Sequence, residues 1–377
     1  MEIIIGADIV PTNSNKNAFV NADVNSLVDK TLQNVLKTAD YRIFNLEVPL
    51  TDKKNPIAKC GPNLIAQKNT VNGIMSLGVD FLTLANNHIM DQGENGLKDT
   101  IQILDEKKIA HAGAAFSKEE AAKPFMMEKD GMRVGIYCCA EHEFSIISDS
   151  MAGANPFDPL WSLDHIQELK NKCDYVIVLY HGGKEQYRYP SPQLQQVCRR
   201  IVDKGADLVI CQHTHCVGCR EEWKQGTIVY GQGNFLFDDC DNEYWKTSLL
   251  VSIVFHENKS TIKYLPLCKV GASVSLAVGK EKEDILKGFE VRSNEIEQKG
   301  FINREYAKYA ESMLPDYLNR TLGKVHKNLI FRVLNKFTGN KLRQKCYSGS
   351  NALALINTIE CEPHRELFIE GLRNYGK

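Results

Sequence analysis

The chain has 377 residues, of which 43% are hydrophobic and 25% are charged, the composition of an ordinary globular protein. Its formal net charge is -1 at pH 7, so no broad attraction to nucleic acid or to an anionic membrane is expected. No run reaches the roughly 18 apolar residues of a membrane-spanning helix. The opening MEIIIGADIV lacks the basic residues that begin a signal peptide, so we expect a cytoplasmic protein.

Strands and helices alternate from residue 2 to residue 211, which predicts a mostly parallel sheet with helices on its faces. The predicted strands lie at 2–10, 41–46, 81–85, 132–140, 175–180 and 208–211. The predicted helices lie at 24–38, 71–78, 95–107, 162–171 and 192–204. The polar residues 53–70 predict a loop.

The pattern changes in the second half of the chain. Residues 227–231, 248–255 and 260–270 are strand-like with no helix between them, which predicts antiparallel strands and leaves open a second sheet beside the first. From residue 281 onward the signal is helical and more polar. We therefore predict a domain over residues 1–275 and a C-terminal helical extension over residues 281–377.

Polar side chains collect where the predicted strands end. Buried polar groups need partners, and the strand ends of α/β sheets are where ligands bind. The residues concerned are Asp8, Glu47, Asn87, His88, His181, His213 and His215. We expect the chain to turn at His213-Thr214-His215, so that both histidines can reach one site. Carboxylate, imidazole and amide oxygen together suit divalent Mn, Fe or Zn, so we predict a metal site here.

Two further motifs stay open at this level. Glu141-His142-Glu143 follows the strand at 132–140, and it is either an exposed charged loop or part of the rim of the site. Cys216-x-x-Cys219 is a CxxC pair with no second pair to complete a zinc site, so a redox or zinc role stands beside a structural one. The other cysteines are scattered in strand-like and helical runs, which is typical of reduced, buried thiols.

The order of these motifs resembles that of the bacterial capsule-synthesis family (CapA-like, poly-γ-glutamate biosynthesis), which belongs to the calcineurin-like metallophosphoesterases. The resemblance covers roughly residues 2–240. Its motifs are Gly-Ala-Asp8, Asn45-Leu46-Glu47, Ala85-Asn86-Asn87-His88-x-x-Asp91-x-Gly93, His181-Gly182-Gly183-x-Glu185, Gln212-His213-Thr214-His215 and Gly233-Asn234-Phe235.

The resemblance implies a four-layer α/β-β-α sandwich of metallophosphoesterase type, with two metals at one edge of the central sheets. Asp8 and His215 match ligands of one metal, and His181 and His213 match ligands of the other. Glu47 and Asn87 match positions at or near the bridging and second-metal ligands. His88 matches the histidine that protonates the leaving group or stabilises the transition state. The residues expected to contact substrate are Asn86, Glu185 and Asn234.

Asp91 has two interpretations in this expected site, and two other positions depart from the family pattern. Asp91 either orients His88 or only forms the turn that opens the next helix. Asp8 is followed by Ile9 and Val10, so the histidine of the usual Asp-x-His motif is missing. Glu47 replaces the usual aspartate. These departures predict that one of the two metal positions is weak, exchangeable or empty.

The function expected from the resemblance is metal-dependent hydrolysis of a phosphoester in capsule, surface-polysaccharide or poly-γ-glutamate metabolism. The substrate would be phosphorylated or polyanionic, and no nucleic acid partner is expected. The alternative is a non-catalytic accessory or binding component of capsular polymer biosynthesis. A third hypothesis is an enzyme that acts on the amide bonds of polyglutamate, which these residues do not separate from a phosphoesterase.

The C-terminal extension carries apolar residues at helical spacing, among them Leu329, Ile330, Val333, Leu334 and Phe337. Its basic residues are Lys324, Lys327, Arg332, Lys336, Lys341, Arg343 and Lys345. One interpretation is an amphipathic surface that contacts a membrane or a capsule-assembly partner, which would make the protein peripheral to the membrane. The other is a helical appendage whose apolar face packs on the sandwich.

Overall fold

The computed structural model describes residues 1–237, 242–256, 259–321 and 328–360, together with residues 364, 365, 368, 369, 371 and 372. The chain divides into two units, Met1–Asn303 and Arg304–Lys377. The strands of the first unit are β1 Glu2–Ile9, β2 Tyr41–Leu46, β3 Phe81–Thr83, β4 Ala110–Ala112, β5 Ala114–Ala115, β6 Phe125–Lys129, β7 Met132–Ala140, β8 Gly153–Ala154, β9 Tyr175–His181, β10 Leu208–Gln212, β11 Arg220–Trp223, β12 Gly226–Tyr230, β13 Asn234–Leu236, β14 Thr247–His256, β15 Lys259–Val270 and β16 Ser273–Leu276.

The helices follow the same chain order. They are α1 Lys16–Val20, α2 Val24–Leu27, α3 Lys30–Thr38, α4 Val71–Ser76, α5 Gly93–Glu106, α6 Lys118–Ala121, α7 Ser162–Lys170, α8 Pro192–Asp203, α9 Gly279–Ile296, α10 Phe301–Thr321, α11 Leu329–Phe337, α12 Lys341–Cys346 and α13 Ser350–Glu360. Two short 3-10 helices lie at Lys68–Thr70 and Glu243–Lys246. Among the described helices, none is both long and apolar enough to cross a membrane.

The strands of the first unit form two large sheets. The first sheet has the order β16-β15-β14-β1-β2-β3-β4, with β13 also paired to β1. Its strands β1 to β4 are parallel, and β14 joins them antiparallel to β1. The second sheet has the order β11-β12-β10-β9-β7-β6, in which β7, β9, β10 and β12 are parallel.

The expectation for the later strands was only partly right. β14 and β15 do pair antiparallel, but they extend the first sheet and do not form a second one. β12 instead runs parallel to β10 in the second sheet. The second sheet instead begins with β6 and β7. The crossovers through α7 and α8 then add β9 and β10 as parallel neighbours.

Alternating side chains of β1 show how the two sheets stack. Ile3 and Ile5 pack in a core cluster between the sheets, against residues of the second sheet such as Ile177 and Ile210. Ile4, on the opposite face, packs in an outer cluster that includes the helical residue Leu32. A third cluster covers the far side of the second sheet with residues of α7 and α8. These layers are helix, sheet, sheet and helix, which confirms the four-layer sandwich.

Local signals explain where individual helices begin and end. The Ser191 hydroxyl accepts a hydrogen bond from the Leu194 N–H at 3.0 Å, and Pro192 occupies the first turn of α8, as predicted. The single helix predicted over 24–38 was wrong, because it is interrupted after α2. Val28 is extended and forms a parallel bridge with Val274, and the Asp29 side chain then caps α3.

The boundary between the units lies later than the sequence predicted. The prediction separated residues 1–275 from 281–377, whereas the structure divides the chain after Asn303. The reason is α9, which packs on the first unit. Its Phe289 is fully buried with its ring centroid 4.8 Å from that of Tyr264, and Arg292 donates to the Gly218 carbonyl at 2.7 Å.

The second unit is helical in its described residues. The Arg343 N–H donates to Asn335 Oδ1 at 3.0 Å, and the Tyr347 hydroxyl donates to the Leu318 carbonyl at 3.1 Å. Apolar side chains of α11 are largely exposed, including Leu329 and Phe337. Lys324 and Lys327 lie outside the described residues. Contact of these helices with a membrane or a partner stays a prediction.

Truncation of Phe44 should destabilise the first unit strongly. Its side chain is 0% exposed and its ring centroid lies 4.6 Å from that of Phe235 in the outer cluster. We expect Phe44→Ala to lower the free energy of unfolding by about 3–5 kcal/mol in urea titrations. The matched control is Phe116→Ala, which truncates an exposed ring and should change the free energy by about 0.5 kcal/mol or less. Equal losses in the two variants would contradict this packing.

Candidate metal centre

The predicted ligands come from the carboxyl ends of parallel strands in both sheets. Asp8 lies in the last two residues of β1, and Glu47 directly follows β2. His181 is the last residue of β9, and His213 directly follows β10. Because the sheets stack face to face, these strand ends meet at one edge. All of these side chains are buried there.

The segment after β10 turns twice to bring both of its histidines into the site. The backbone φ angles of His213 and His215 are 87° and 53°, in the left-handed region that side chains with a Cβ rarely adopt. Their ring centroids lie 5.8 Å apart. The expectation that the chain turns here is confirmed, and such backbone conformations persist only where surrounding contacts enforce them.

The first group of possible ligands consists of Asp8, Glu47 and His215. Their nearest ligand atoms all lie within 4.8 Å of one another. Asp8 Oδ1 accepts a hydrogen bond from Asn45 Nδ2 at 2.8 Å, and Asp8 Oδ2 lies 3.4 Å from His215 Nδ1. Within the part of the chain that the structure describes, no hydrogen-bond donor reaches Asp8 Oδ2.

The second group consists of Glu47, His181 and His213, and it shares Glu47 with the first. Glu47 Oε1 lies 3.4 Å from His181 Nε2, and the rings of His181 and His213 have centroids 4.9 Å apart. Neither carboxylate oxygen of Glu47 has a hydrogen-bond partner among the described residues, although the side chain is 0% exposed. Glu47 is therefore placed between the two groups with both oxygens available.

The charges of this site are mutually dependent. Burial, together with the Glu47 carboxylate, raises the pKa of Asp8 above its usual value. Burial alone would also raise the pKa of Glu47, but His181 and His215 hold that pKa below its usual value. Burial, with His181 and His215 nearby, lowers the pKa of His213 well below its usual value, so its ring is neutral.

These observations test whether the residues fit a metal. Two buried carboxylates with unpartnered oxygens are costly unless positive charge lies close to them. A neutral His213 ring offers the lone pair of one of its two ring nitrogens, and its Nδ1 has no partner among the described residues. Carboxylate and neutral imidazole are ligands of Mn, Fe and Zn. The donor set therefore fits divalent cations.

Asn87 joins the second group and links it to the Glu141-His142-Glu143 segment. Its Oδ1 lies 3.0 Å from His181 Nε2, and its Nδ2 donates to Glu143 Oε2 at 2.9 Å. Glu141 Oε1 lies 3.7 Å from His213 Nε2. Of the two interpretations of this segment, the geometry favours the rim of the site.

His88 is held by Asp91 and by a lysine that the sequence analysis did not identify. His88 Nδ1 donates to Asp91 Oδ2 at 2.6 Å, which favours the orienting role over a simple turn. The ammonium of Lys59 pairs with the other Asp91 oxygen, and its side chain is 3% exposed. Lys59 lies in the predicted loop at 53–70, where a lone lysine carries no signal that would distinguish it.

The three residues expected to contact substrate have different surroundings. The amide of Asn86 donates to Asn45 Oδ1 at 3.0 Å and to the Leu46 carbonyl at 2.8 Å, so it supports the turn. Asn234 Oδ1 accepts from His215 Nδ1 at 2.7 Å. Glu185 is exposed beside His215. Substrate contact by Asn86, Asn234 and Glu185 stays a prediction.

The two positions after Asp8 carry apolar side chains and no imidazole. Ile9 and Val10, which stand where the Asp-x-His motif has its last residues, are buried in the apolar core. The CxxC pair is also part of the buried interior. Burial raises the pKa of the Cys216 thiol to about 11 and that of Cys219 well above its usual value, so both behave as core side chains.

Two solved structures are distant matches to this chain. A phosphatase from Mycoplasma pneumoniae is 14% identical with a TM-score of 0.45, and the match covers 76% of this chain and 96% of that one. The NAD nucleotidase of Haemophilus influenzae is 14% identical with a TM-score of 0.44, and the match covers 85% of this chain and 68% of that one.

Two relatives found by sequence have a higher identity to this chain than those solved structures. The capsule biosynthesis protein CapA of Bacillus anthracis is 32% identical over 240 residues, which cover 60% of this chain and 57% of that protein. The PGA biosynthesis protein CapA of Bacillus subtilis is 29% identical over 208 residues, which cover 54% of this chain and 55% of that protein. The chain thus spans little more than half the length of these relatives.

A family model matches the part of the chain that contains the whole candidate site. The model is that of the bacterial capsule synthesis protein PGA_cap, and it matches residues 2–239. That range includes every motif on which the resemblance was based and well over half of the chain. The chain belongs to the bacterial capsule synthesis protein PGA_cap family.

Proposed function

We propose that the chain is a metal-dependent hydrolase that cleaves phosphoesters in capsule, surface-polysaccharide or poly-γ-glutamate metabolism. The observation that carries the proposal is Glu47, a fully buried carboxylate with two unpartnered oxygens shared by two groups of metal-ligand side chains. The names of the Bacillus relatives support the pathway. The substrate would be phosphorylated or polyanionic and would be met in the cytoplasm.

The residues have distinct tasks in this proposal. Asp8 and His215 would hold one cation, and His181 and His213 would hold the other with the help of Asn87. Glu47 belongs to both groups of ligands. A bound pair of divalent cations such as Mn, Fe or Zn supplies Lewis-acid polarisation of a phosphoryl group. The buried carboxylates balance the charge of the cations, and the turn at His213 fixes the orientation of both rings.

His88 is the proton donor of the proposed reaction. Its Nδ1–H is engaged by Asp91 at 2.6 Å, so Nε2 is the ring nitrogen left to give a proton to the departing oxygen. Asp91 is fixed in turn by the Leu64 N–H at 2.6 Å and by Lys59. This network holds the imidazole in one orientation, which lowers the entropic cost of reaching a productive geometry.

A second candidate function is a non-catalytic accessory or binding role in capsular polymer biosynthesis. The observation in its favour is the missing histidine after Asp8, where the buried side chains of Ile9 and Val10 offer no metal ligand. A Mycobacterium tuberculosis relative, 26% identical over 218 residues, has the name probable polyglutamine synthesis accessory protein. In this role the exposed apolar side chains of α11 would contact an assembly partner or a membrane.

Metal content separates the two functions. We expect about two equivalents of divalent metal in the purified wild type after reconstitution with manganese or zinc, because two ligand groups share Glu47. His213→Ala/His215→Ala should lose both equivalents in elemental analysis. His256→Ala, which removes an exposed histidine of β14, should keep both. A wild type that binds no metal contradicts the hydrolase and favours the accessory role.

Removal of His88 should abolish turnover without removing metal. Because His88 donates a proton and holds no cation in this proposal, His88→Ala should reduce kcat for an aryl phosphate by roughly a hundredfold or more. Its metal content by elemental analysis should match that of the wild type. His256→Ala, which removes an exposed histidine of β14, serves as the control. Wild-type turnover in His88→Ala would remove this residue from the mechanism.

Metal binding should tighten as pH rises. In the metal-free protein burial lowers the pKa of His215, but Glu47 and Asp8 outweigh it and raise that pKa to about 9, so the ring is protonated at neutral pH. The imidazole must lose this proton to bind a cation, so affinity should rise roughly tenfold per pH unit below that pKa. Calorimetry in two buffers of different ionisation enthalpy counts the released protons. An affinity that is flat with pH would contradict this linkage.

A further inference from the structure

Glu141 lies at the carboxyl end of a strand, as the predicted ligands do. It directly follows β7, and β7 lies beside β9 in the second sheet. Ala140 pairs with His181 in the register of these strands, and the Glu141 N–H donates to the His181 carbonyl at 3.0 Å. The strand end of β7 therefore delivers a carboxylate to the edge where His181 lies.

The carboxylate of Glu141 has a fixed orientation. Its Oε2 accepts a hydrogen bond from the Gly183 N–H at 3.0 Å, and its Oε1 lies 3.7 Å from His213 Nε2. Gly182 leaves room on this side of the site, because a Cβ there would lie 2.3 Å from the Tyr180 ring and 2.8 Å from Glu141 Oε2. One oxygen is thus held by the backbone, and the other lies on the side of His213.

Glu143 acts on the same site through Asn87. Its Oε2 accepts from Asn87 Nδ2 at 2.9 Å, and Asn87 Oδ1 lies 3.0 Å from His181 Nε2. An amide whose nitrogen donates to a carboxylate presents its oxygen elsewhere, and the oxygen is the amide atom that binds cations. Glu143 therefore turns the ligand atom of Asn87 toward His181.

A separate observation concerns buried polar atoms beside this group. Glu47 Oε1 and Oε2 and His213 Nδ1 have no hydrogen-bond partner in the described ranges, although both side chains are more than nine-tenths buried. Glu141, Glu143 and His213 bring possible ligand atoms within 4.8 Å of one another. This group adjoins the group of Glu47 and His181 through His213.

We propose that Glu141 is a direct ligand of the cation held by His181 and His213, and that Glu143 is a positioning residue that orients Asn87 toward the same cation. The inference rests on the metal pair of the proposed function and adds two residues to it. A further carboxylate strengthens this position by its charge. Asp8 lacks a histidine two residues later, and the segment of residues 141–143 adds no carboxylate to the cation position beside Asp8.

The two glutamates should respond differently to the same substitution. Glu141→Gln keeps the size of the side chain and removes the charge that binds the cation. Glu143→Gln keeps an oxygen that accepts from Asn87, whereas Glu143→Leu removes it. The experiment is a titration of the metal-free 377-residue chain with Mn²⁺ by calorimetry. Glu168→Gln, an exposed glutamate of α7, is the control, and circular dichroism checks that each variant is folded.

We expect two Mn²⁺ equivalents in the wild type and in Glu168→Gln. Glu141→Gln should weaken one equivalent at least tenfold, and Glu141→Asp, which withdraws the charge by one methylene, should weaken the same equivalent less. Glu143→Gln should stay within about threefold of the wild type, and Glu143→Leu should lose about tenfold in that same equivalent.

Two results would overturn the inference. Wild-type affinity in Glu141→Gln would show that Glu141 is no ligand, and equal affinities in Glu143→Gln and Glu143→Leu would show that Glu143 does not orient Asn87. A wild type that binds no Mn²⁺ overturns the metal pair itself. That failure is visible without any variant, so it is distinguishable from a failure of the two glutamate assignments.

Discussion

The burial of two carboxylates, Asp8 and Glu47, is the constraint on which the rest of the site depends. Each ion costs several kcal/mol to remove from water unless positive charge compensates it. Within the described chain, the nearest cationic groups are the imidazoles of His181 and His215, and they leave both oxygens of Glu47 without a hydrogen bond. The donors present at this edge fit divalent cations, which would compensate the charge of these carboxylates.

The two-sheet architecture makes this concentration of charge possible. Parallel strands of one sheet end at a common edge. The stacking of two such sheets brings the ends of β1 and β2 next to the ends of β9 and β10. The apolar cluster between the sheets, which includes Ile5 and Ile177, holds the strand ends rigidly behind the ligands. A rigid frame matters here because metal ligands must be held within tenths of an ångström of their working positions.

Family membership and site geometry bear on function in different ways. Membership in the PGA_cap family places the chain among bacterial capsule synthesis proteins, while the side chains of the site form a donor set that fits divalent cations. Val10 stands where the Asp-x-His motif has its histidine, so the group around Asp8 has one imidazole fewer than that motif supplies, while Glu141 lies beside His213. This asymmetry explains why hydrolase and accessory roles both remain concrete hypotheses with different metal contents.

The sequence by itself determined which strands end in polar side chains, since apolar runs followed by Asn87, His181 or His213 are visible in one dimension. The alternation of strands and helices predicted a mostly parallel sheet with helices on its faces, whereas the four-layer sandwich was expected from the family resemblance. Only the tertiary structure decided the break at Val28, the packing of α9 and the arrival of Lys59 beside Asp91. These features are contacts between segments far apart in the chain, and a single residue in a loop carries no local signal of its distant partner.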